Sequence, residues 1–315
     1  MLLDFRKVNN GEIMERSKSI NGILILIGVM FALLIVFSIF TIKGIQKVTK
    51  VDFKNSDNQI GVVEVKGVIL DSQKAIKKLT KAEDDKKVKA IIIRIDSPGG
   101  AVGPTQEIYD EILRIDKIKP VYASFGKVAA SGGYYIGAAA RKIYSNRGSI
   151  TGSIGVIMQF MDLSKLYKFL KLNPQILKSG EFKDIGNPTR QLTKKEKKLL
   201  DKTLANVHEQ FRKDILKRRK DKIKGDIYKV SQGQIFSGEE AFKLGLVDRL
   251  SGLWAAGRDI HKELKLKGKF KKFKFIKLKK KFSVLDIAEA FDEGPESILN
   301  ILGRFFKTPY FMYKY

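Results

Sequence analysis

The chain has 315 residues, enough for one large domain or two smaller ones, and 43% of them are hydrophobic. This hydrophobic content, without a low-complexity tract, excludes a disordered chain. The formal net charge is +27 at pH 7, and the lysines that produce it are spread along the sequence. Because the chain has no cysteine, a thiol nucleophile, a disulfide framework and thiolate metal ligands are excluded.

An apolar segment follows a short polar segment at residues 1–20. Residues 23–42 contain no charged side chain and form an almost continuous apolar run of 20 residues. A helix of that length spans about 30 Å, the hydrocarbon thickness of a bilayer, whereas a cleaved signal peptide has a shorter apolar core. We therefore predict a transmembrane anchor at residues 21–43 and a linker at 44–57. Basic residues are nearly balanced on its two sides, so the positive-inside rule leaves the orientation open.

Strand and helix patterns alternate at short intervals in the rest of the chain. The predicted strands lie at residues 59–70, 88–95 and 119–125, and the predicted helices between them at 72–85 and 104–115. This alternation predicts an α/β domain with a mostly parallel sheet. Two glycine pairs, 99–100 and 132–133, fall after inner strands, where such folds bind ligands. Farther along, a long amphipathic helix is predicted at 194–219, and a shorter helix is expected from Ser237 to a stop at Gly245.

Ser131 follows a predicted loop of small residues that connects the strand predicted at 119–125 to a predicted helix. The surrounding sequence at 129–133 is Ala-Ala-Ser-Gly-Gly. A hydroxyl at such a place lies beside backbone N–H groups, which can stabilise developing negative charge. Glycines there allow a substrate or a second backbone to approach closely. Ser131 is therefore a candidate nucleophile, and tight helix–strand packing is the alternative interpretation of the same residues.

The two histidines of the chain, His208 and His261, have no motif around them that indicates a Ser-His-Asp triad. We interpret both as solvated surface residues. A buried lysine can replace histidine as general base, because desolvation lowers the pKa of its amine. Composition alone does not select one of the many lysines for this role.

Five motifs in order resemble those of the bacterial signal peptide peptidase A family. They are IDSPGG at 95–100, ASGGYYIGAAA at 130–140, TGSIGVI at 151–157, SGEFKDIGNPTR at 179–190 and FSGEEAFKLGLVD at 236–248. The resemblance covers residues 58–260, the predicted peptidase domain. It implies an α/β fold of the Clp protease/crotonase-like type, with a mostly parallel sheet, preceded by one N-terminal transmembrane helix. It implies no metal or organic cofactor.

The resemblance also assigns roles to individual residues. They are Ser131 as nucleophile, Lys183 as general base, Gly100 and Gly132 as backbone N–H donors of an oxyanion hole, and Ser153 as the hydroxyl that orients the lysine amine. A structural turn hydroxyl remains the alternative for Ser153. Asp184 is expected to point away from Lys183, because a paired carboxylate would raise the pKa of the base.

The activity that the resemblance implies is a membrane-anchored serine endopeptidase that degrades signal peptides left in the membrane after secretion. The implied partners are these peptides, membrane lipid and further copies of the chain in a homo-oligomeric ring. The catalytic domain is expected on the extracytoplasmic side of the cell membrane. Two alternatives stay open: a crotonase-fold acyl-CoA enzyme and a catalytically inactive membrane scaffold of peptidase fold. Cleavage preference, subunit number and physiological substrate also remain open.

The C-terminal extension, residues 261–315, begins with a lysine-rich stretch. Residues 262–282 contain 11 lysines that alternate in part with Leu, Phe and Ile. This alternation predicts an edge strand with a solvated lysine face, and contact with anionic lipid headgroups is the alternative. No nucleic-acid-binding motif accompanies the charge, so nucleic acid is not a predicted partner. The apolar end, residues 309–315, is predicted to pack in an ordered way against a neighbouring subunit.

Overall fold

The computed structural model describes residues 28–39 and 58–278, which belong to two separate units of the chain. Residues 28–39 form helix α1, and their side chains are exposed. None of the described helices combines the length and the hydropathy that crossing a membrane requires. The predicted anchor at 21–43 is described only in part. The predicted N-terminal segment at 1–20, the linker at 44–57 and the C-terminal tail at 309–315 lie outside the described residues.

The second unit alternates strands and helices, as the sequence predicts. The strands are β1 (Gln59–Lys66), β2 (Val88–Ser97), β3 (Val121–Ala130), β4 (Ile143–Ser145), β5 (Ile150–Gly152), β6 (Ile235–Ser237), β7 (Arg249–Leu250) and β8 (Lys274–Phe275). The helices are α2 (Gln73–Asp84), α3 (Val102–Asp116), α4 (Gly132–Ala138), α5 (Ser164–Phe169), α6 (Lys194–Arg219), α7 (Ile227–Val230), α8 (Gly238–Lys243) and α9 (Leu253–Glu263).

The strands form one sheet in the order β6-β5-β3-β2-β1-β8. The strand β4 pairs with β3 outside this order, and β7 pairs with β4. Every pair is parallel except β5 with β6. The predicted α/β architecture with a mostly parallel sheet is therefore confirmed for the described residues.

The strand β2 is apolar at its centre, residues 90–93, because both of its faces are covered there. Ile91 and Ile93 contribute to the cluster that includes α3 and α4 side chains, whereas Ala90 and Ile92 contribute to a second cluster with Ile260 of α9. All five side chains are at most 1% exposed. Burying each isoleucine contributes about 1.5–3 kcal/mol, so this strand fixes the centre of the domain.

The strand β3 carries the candidate nucleophile to the middle of the sheet. It runs to Ala130, and α4 begins at Gly132, so Ser131 is the single residue between them. The sequence predicted a loop between Phe125 and Ser131, and that prediction is wrong. The small residues extend the strand because their backbone pairs with β2 at Ser97 and with all of β5.

The short edge strand β8 lies in the lysine-rich stretch and pairs with β1. Phe273 and Ile276 are buried beside it, whereas Phe275 is 44% exposed. The prediction of an edge strand is therefore confirmed for two residues of the stretch. Residues 279–282 lie outside the described part of the chain.

The long helix α6 has the predicted bounds and starts at a capping box. The Thr193 side chain accepts from the Glu196 N–H, and the Glu196 carboxylate accepts from the Thr193 N–H. These reciprocal bonds satisfy donors that a helix N-terminus otherwise leaves free. Phe211 and Ile215 of α6 are buried in the core with side chains of α4.

Candidate active site

Ser131 forms a sharp turn between β3 and α4. Its φ is 52° and its ψ is −120°, a combination that residues with a side chain rarely adopt. Such a backbone costs of order 1–3 kcal/mol, so the surroundings must hold it. The Ser131 N–H donates to the Gly152 carbonyl at 2.9 Å, and the Ser131 carbonyl accepts from the Tyr135 N–H at 2.9 Å. The turn leaves the half-buried serine at the wall of a small pocket.

The loop after β2 packs directly against Ser131. A Cβ built on Gly99 would lie 2.8 Å from the Gly132 nitrogen and 2.8 Å from the Ser131 Cβ. Any larger residue would therefore push the loop away from the serine. A Cβ on Gly132 would lie 3.4 Å from the Gly100 nitrogen. The backbone nitrogens of Gly100 and Gly132 thus lie near each other and near the serine.

Gly100 and Gly132 leave their N–H groups available. In the described part of the chain, neither N–H donates a hydrogen bond to a protein atom. The Ser131 hydroxyl has no hydrogen-bond partner there either. Two available N–H groups beside a serine hydroxyl are the arrangement that stabilises an oxyanion in acyl transfer.

An apolar pocket opens beside Ser131. Its walls include Val102, Tyr135, Val156, Val207 and Phe211. The ring centroids of Tyr135 and Phe211 are 4.4 Å apart, so α4 and α6 meet at the wall of this pocket. The lining can accept an apolar side chain beside Ser131.

Ser153 is brought next to Ser131 by the pairing of β5 with β3. Ala130 lies opposite Gly152, so the residues that follow the two strands are neighbours at one end of the sheet. Ser153 also has a positive φ, 48°, and its N–H donates to the Gln234 carbonyl at 2.6 Å. Its role in orienting a lysine amine stays a prediction.

Lys183 lies in an exposed turn and does not line the Ser131 pocket. Among the described residues, its Nζ has no hydrogen-bond or ion-pair partner. The neighbouring Asp184 accepts from Arg190 Nε at 2.8 Å and from Lys178 Nζ at 2.6 Å. These hydrogen bonds hold the pKa of Asp184 well below its ordinary value. The expectation that Asp184 does not pair with Lys183 is confirmed.

Arg190 joins this turn to the start of α6. Its Nη2 lies 2.5 Å from Glu196 Oε1, and this hydrogen bond lowers the pKa of Glu196 to about 2. Val207 of the same helix lines the Ser131 pocket, about 16 Å from Glu196 along the helix axis. The turn is therefore tied to the start of α6, whereas the residues of α6 that line the Ser131 pocket lie farther along the helix, and Lys183 is not one of the residues that line this pocket.

Replacing Arg190 with glutamine should loosen the turn that carries Lys183. The substitution removes the cation that binds both Asp184 and Glu196, so we expect faster amide hydrogen exchange across residues 181–190. The pKa values of Asp184 and Glu196 are both lowered. The ion pairs of Arg190 in the wild type are therefore fully formed above about pH 4.5, and they weaken as the pH falls through the pKa values of the two carboxylates in the folded protein.

The control for Arg190→Gln is Lys195→Gln. Lys195 pairs with Glu181 at the surface, where the two side chains are 77% and 59% exposed, and such pairs contribute little. The control should leave exchange unchanged at pH 7. Equal exchange in Arg190→Gln and wild-type protein would show that Arg190 does not anchor the turn.

The two histidines are not solvated, so that interpretation is wrong. His261 is 9% exposed, and its ring centroid lies 6.1 Å from that of Phe270. His208 is half-buried, with Nε2 3.2 Å from the Ile154 carbonyl oxygen and Nδ1 3.1 Å from Arg212 Nη2. Neither histidine reaches the Ser131 hydroxyl. Within the described residues, no group of three or more His, Asp or Glu side chains is placed to hold a metal ion.

The fold and the turn at Ser131 define the class of this protein. It is an α/β protein in which a serine in a strained strand–helix turn lies beside two backbone N–H donors. A model of peptidase family S49 matches residues 114–267. The chain belongs to peptidase family S49, and the resemblance noted from its motifs is thereby confirmed.

Several proteases are similar to this chain. Putative protease slr0021 of Synechocystis is 38% identical over 200 residues, which are 63% of this chain and 72% of that protein. Putative signal peptide peptidase SppA of Enterococcus faecium is 32% identical over 225 residues, which are 67% and 65% of the two chains. The chloroplastic serine protease SPPA of Arabidopsis thaliana is 35% identical over 194 residues, which are 61% of this chain and only 28% of that protein.

Proposed function

We propose that this peptidase is a serine endopeptidase in which Ser131 is the nucleophile and Lys183 is the general base. The observation that carries the proposal is the position of the Ser131 hydroxyl beside the available N–H groups of Gly100 and Gly132. The strained turn supports it, because a conformation that costs energy persists where it aims a reactive group.

The reaction proceeds through an acyl-enzyme. Ser131 Oγ attacks the carbonyl carbon of the scissile bond while the neutral amine of Lys183 takes the hydroxyl proton. The carbonyl oxygen becomes an oxyanion and accepts hydrogen bonds from Gly100 and Gly132. The protonated lysine then gives its proton to the leaving amine, and water hydrolyses the ester by the same steps. Ser153 holds the lysine amine in line with Ser131.

A second copy of the chain completes this site in our proposal. A lysine acts as a general base where its amine is desolvated, whereas Lys183 is exposed in its own chain. The segment around it exposes large apolar side chains: Ile157, Met161, Phe169 and Leu177 are between 66% and 99% exposed. Apolar patches of this kind mark interfaces. A homo-oligomeric ring would cover the patch, desolvate Lys183 and place it at the Ser131 of a neighbour.

The substrates in our proposal are signal peptides left in the membrane after secretion. The apolar pocket beside Ser131 suits their apolar cores, and the relative from Enterococcus faecium carries the name of a signal peptide peptidase. The apolar run at residues 23–42 would anchor the enzyme in the cell membrane beside such substrates, with the catalytic domain on the extracytoplasmic side.

The full chain in detergent micelles, incubated with a synthetic signal peptide, tests this function. We expect cleavage within the apolar core of the peptide, and mass spectrometry of the products locates the cleaved bond. A folded soluble protein should survive, because its bonds cannot reach a sheltered pocket. A control peptide with its core replaced by alternating Ser and Asn should be cleaved at least about tenfold more slowly, since it loses apolar contacts worth more than 1.4 kcal/mol. Equal cleavage of both peptides would contradict the substrate assignment.

A further inference from the structure

A single segment, residues 153–156, forms one side of the candidate site. It supplies Ser153 next to the nucleophile and then Gly155 and Val156, which line the pocket. The opposite side of the pocket comes from Val207 and Phe211 of α6. The spacing between this segment and α6 therefore sets both the pocket and the place of the Ser153 hydroxyl.

His208 links the two sides directly. Its ring Nε2 lies 3.2 Å from the carbonyl oxygen of Ile154, the residue between Ser153 and the pocket wall. The same carbonyl accepts from the Gly233 N–H at 3.1 Å. Because His208 follows Val207 on α6, this one contact connects the helix that forms the far wall to the backbone of the near wall.

The neighbours of His208 fix which of its ring nitrogens carries the proton. Arg212 Nη2 lies 3.1 Å from Nδ1, and a guanidinium can only donate. Nδ1 must therefore accept, so the neutral ring carries its proton on Nε2 and donates it to the Ile154 carbonyl. Arg212 is itself held, since its Nε donates to Ser231 Oγ at 2.8 Å and its guanidinium lies 4.9 Å over the Tyr228 ring.

We propose that His208 is a positioning residue of this peptidase: as the Nε2–H tautomer, it fixes the Ile154 carbonyl and thereby holds residues 153–156 against α6. This proposal deepens the proposed function, because the segment it holds belongs to the Ser131 site. His208 does not touch the reacting atoms. It acts through the backbone that carries Ser153 and the pocket wall.

Two substitutions separate the hydrogen bond from the space that the ring fills. His208→Leu fills a similar space with an apolar side chain and removes the donor. His208→Gln places an amide N–H close to the position of Nε2 and can restore the bond. Lys213→Ala, at an exposed position of the same helix, is the matched control.

The full chain provides two readouts that do not depend on activity. In His208→Leu, the amide hydrogens of residues 153–156 and of Gly233 should exchange about five- to tenfold faster, as expected for the loss of one hydrogen bond. His208→Gln and Lys213→Ala should exchange like the wild type. Nitrogen-15 NMR should show the Nε2–H tautomer for His208, and with only two histidines in the sequence the assignment needs one His261→Gln variant.

Activity provides the third readout. The kcat/KM for an apolar peptide should fall about tenfold in His208→Leu and recover to within about threefold in His208→Gln. Unchanged exchange in His208→Leu, a proton on Nδ1, or a Gln variant as impaired as the Leu variant would overturn the proposal. If the wild-type chain cleaves no peptide, the proposed function fails, whereas exchange and NMR still decide the role of His208 in holding the segment.

Discussion

Replacing Ser131 with alanine should reduce peptide cleavage by at least about a thousandfold. The substitution removes the atom that attacks the carbonyl, and losing the nucleophile of a serine protease costs about 10⁴-fold or more. The fold should stay intact, because the hydroxyl has no hydrogen-bond partner in the described residues and alanine keeps the Cβ. Peptide hydrolysis and thermal unfolding of the same sample measure the two effects.

The control for Ser131→Ala is Thr203→Ala. Thr203 is exposed on α6, and its hydroxyl bonds only the Leu199 carbonyl of the same helix. This variant should keep wild-type activity and stability. Activity of Ser131→Ala within a few-fold of the wild type would end the assignment of Ser131 as nucleophile.

Lys183→Arg should be as inactive as Lys183→Ala, because a guanidinium stays charged at any working pH and cannot accept the serine proton. Loss of activity by about a hundredfold or more is expected for removing a general base. Lys178→Arg is the matched control, since Lys178 Nζ donates to the Asp184 carboxylate and to the Glu181 carbonyl and does not line the Ser131 pocket. An active Lys183→Arg variant would mean that another group takes the proton.

A mixture of two inactive variants tests whether neighbouring copies share the site. In an oligomer assembled from both Ser131→Ala and Lys183→Ala chains, some sites would combine an intact Ser131 with an intact Lys183 of the neighbour. Activity should therefore return to about a quarter of the wild-type value after dissociation and reassembly, by the statistics of random mixing of two equal populations. No recovery in a mixture shown to contain both chains would place the serine and the lysine of each site in one chain.

The sequence predicts the frame of the fold well because local patterns encode it. The capped start of α8 at Ser237 and its end before Gly245, which has a φ of 76°, follow from residue types that suit those backbone positions. The bounds of α6 follow from its apolar spacing and its capping box. The small residues before Ser131 have little strand propensity of their own, and they form a strand because they pair with β2 and β5.

The contacts around the site depend on partners far away in the sequence. The bond between His208 and Ile154 joins a helix to the irregular segment after β5, 54 residues earlier, and no local pattern indicates it. The sequence shows His208 only as a polar residue on a predicted helix, next to Val207, and this does not indicate a role in the site. The position of Lys183 also could not be derived from spacing, because the ion pairs of Arg190 with Asp184 and with Glu196 tie its turn to the start of α6.

Mapping the adduct of a fluorophosphonate probe tests the central claim most directly, because such a probe modifies only an activated serine beside an oxyanion hole. The full wild-type chain should carry one adduct, located by tandem mass spectrometry on Ser131. The Lys183→Ala variant should be labelled far more slowly. An adduct on another serine, or no adduct in a chain that cleaves peptides, would contradict the account.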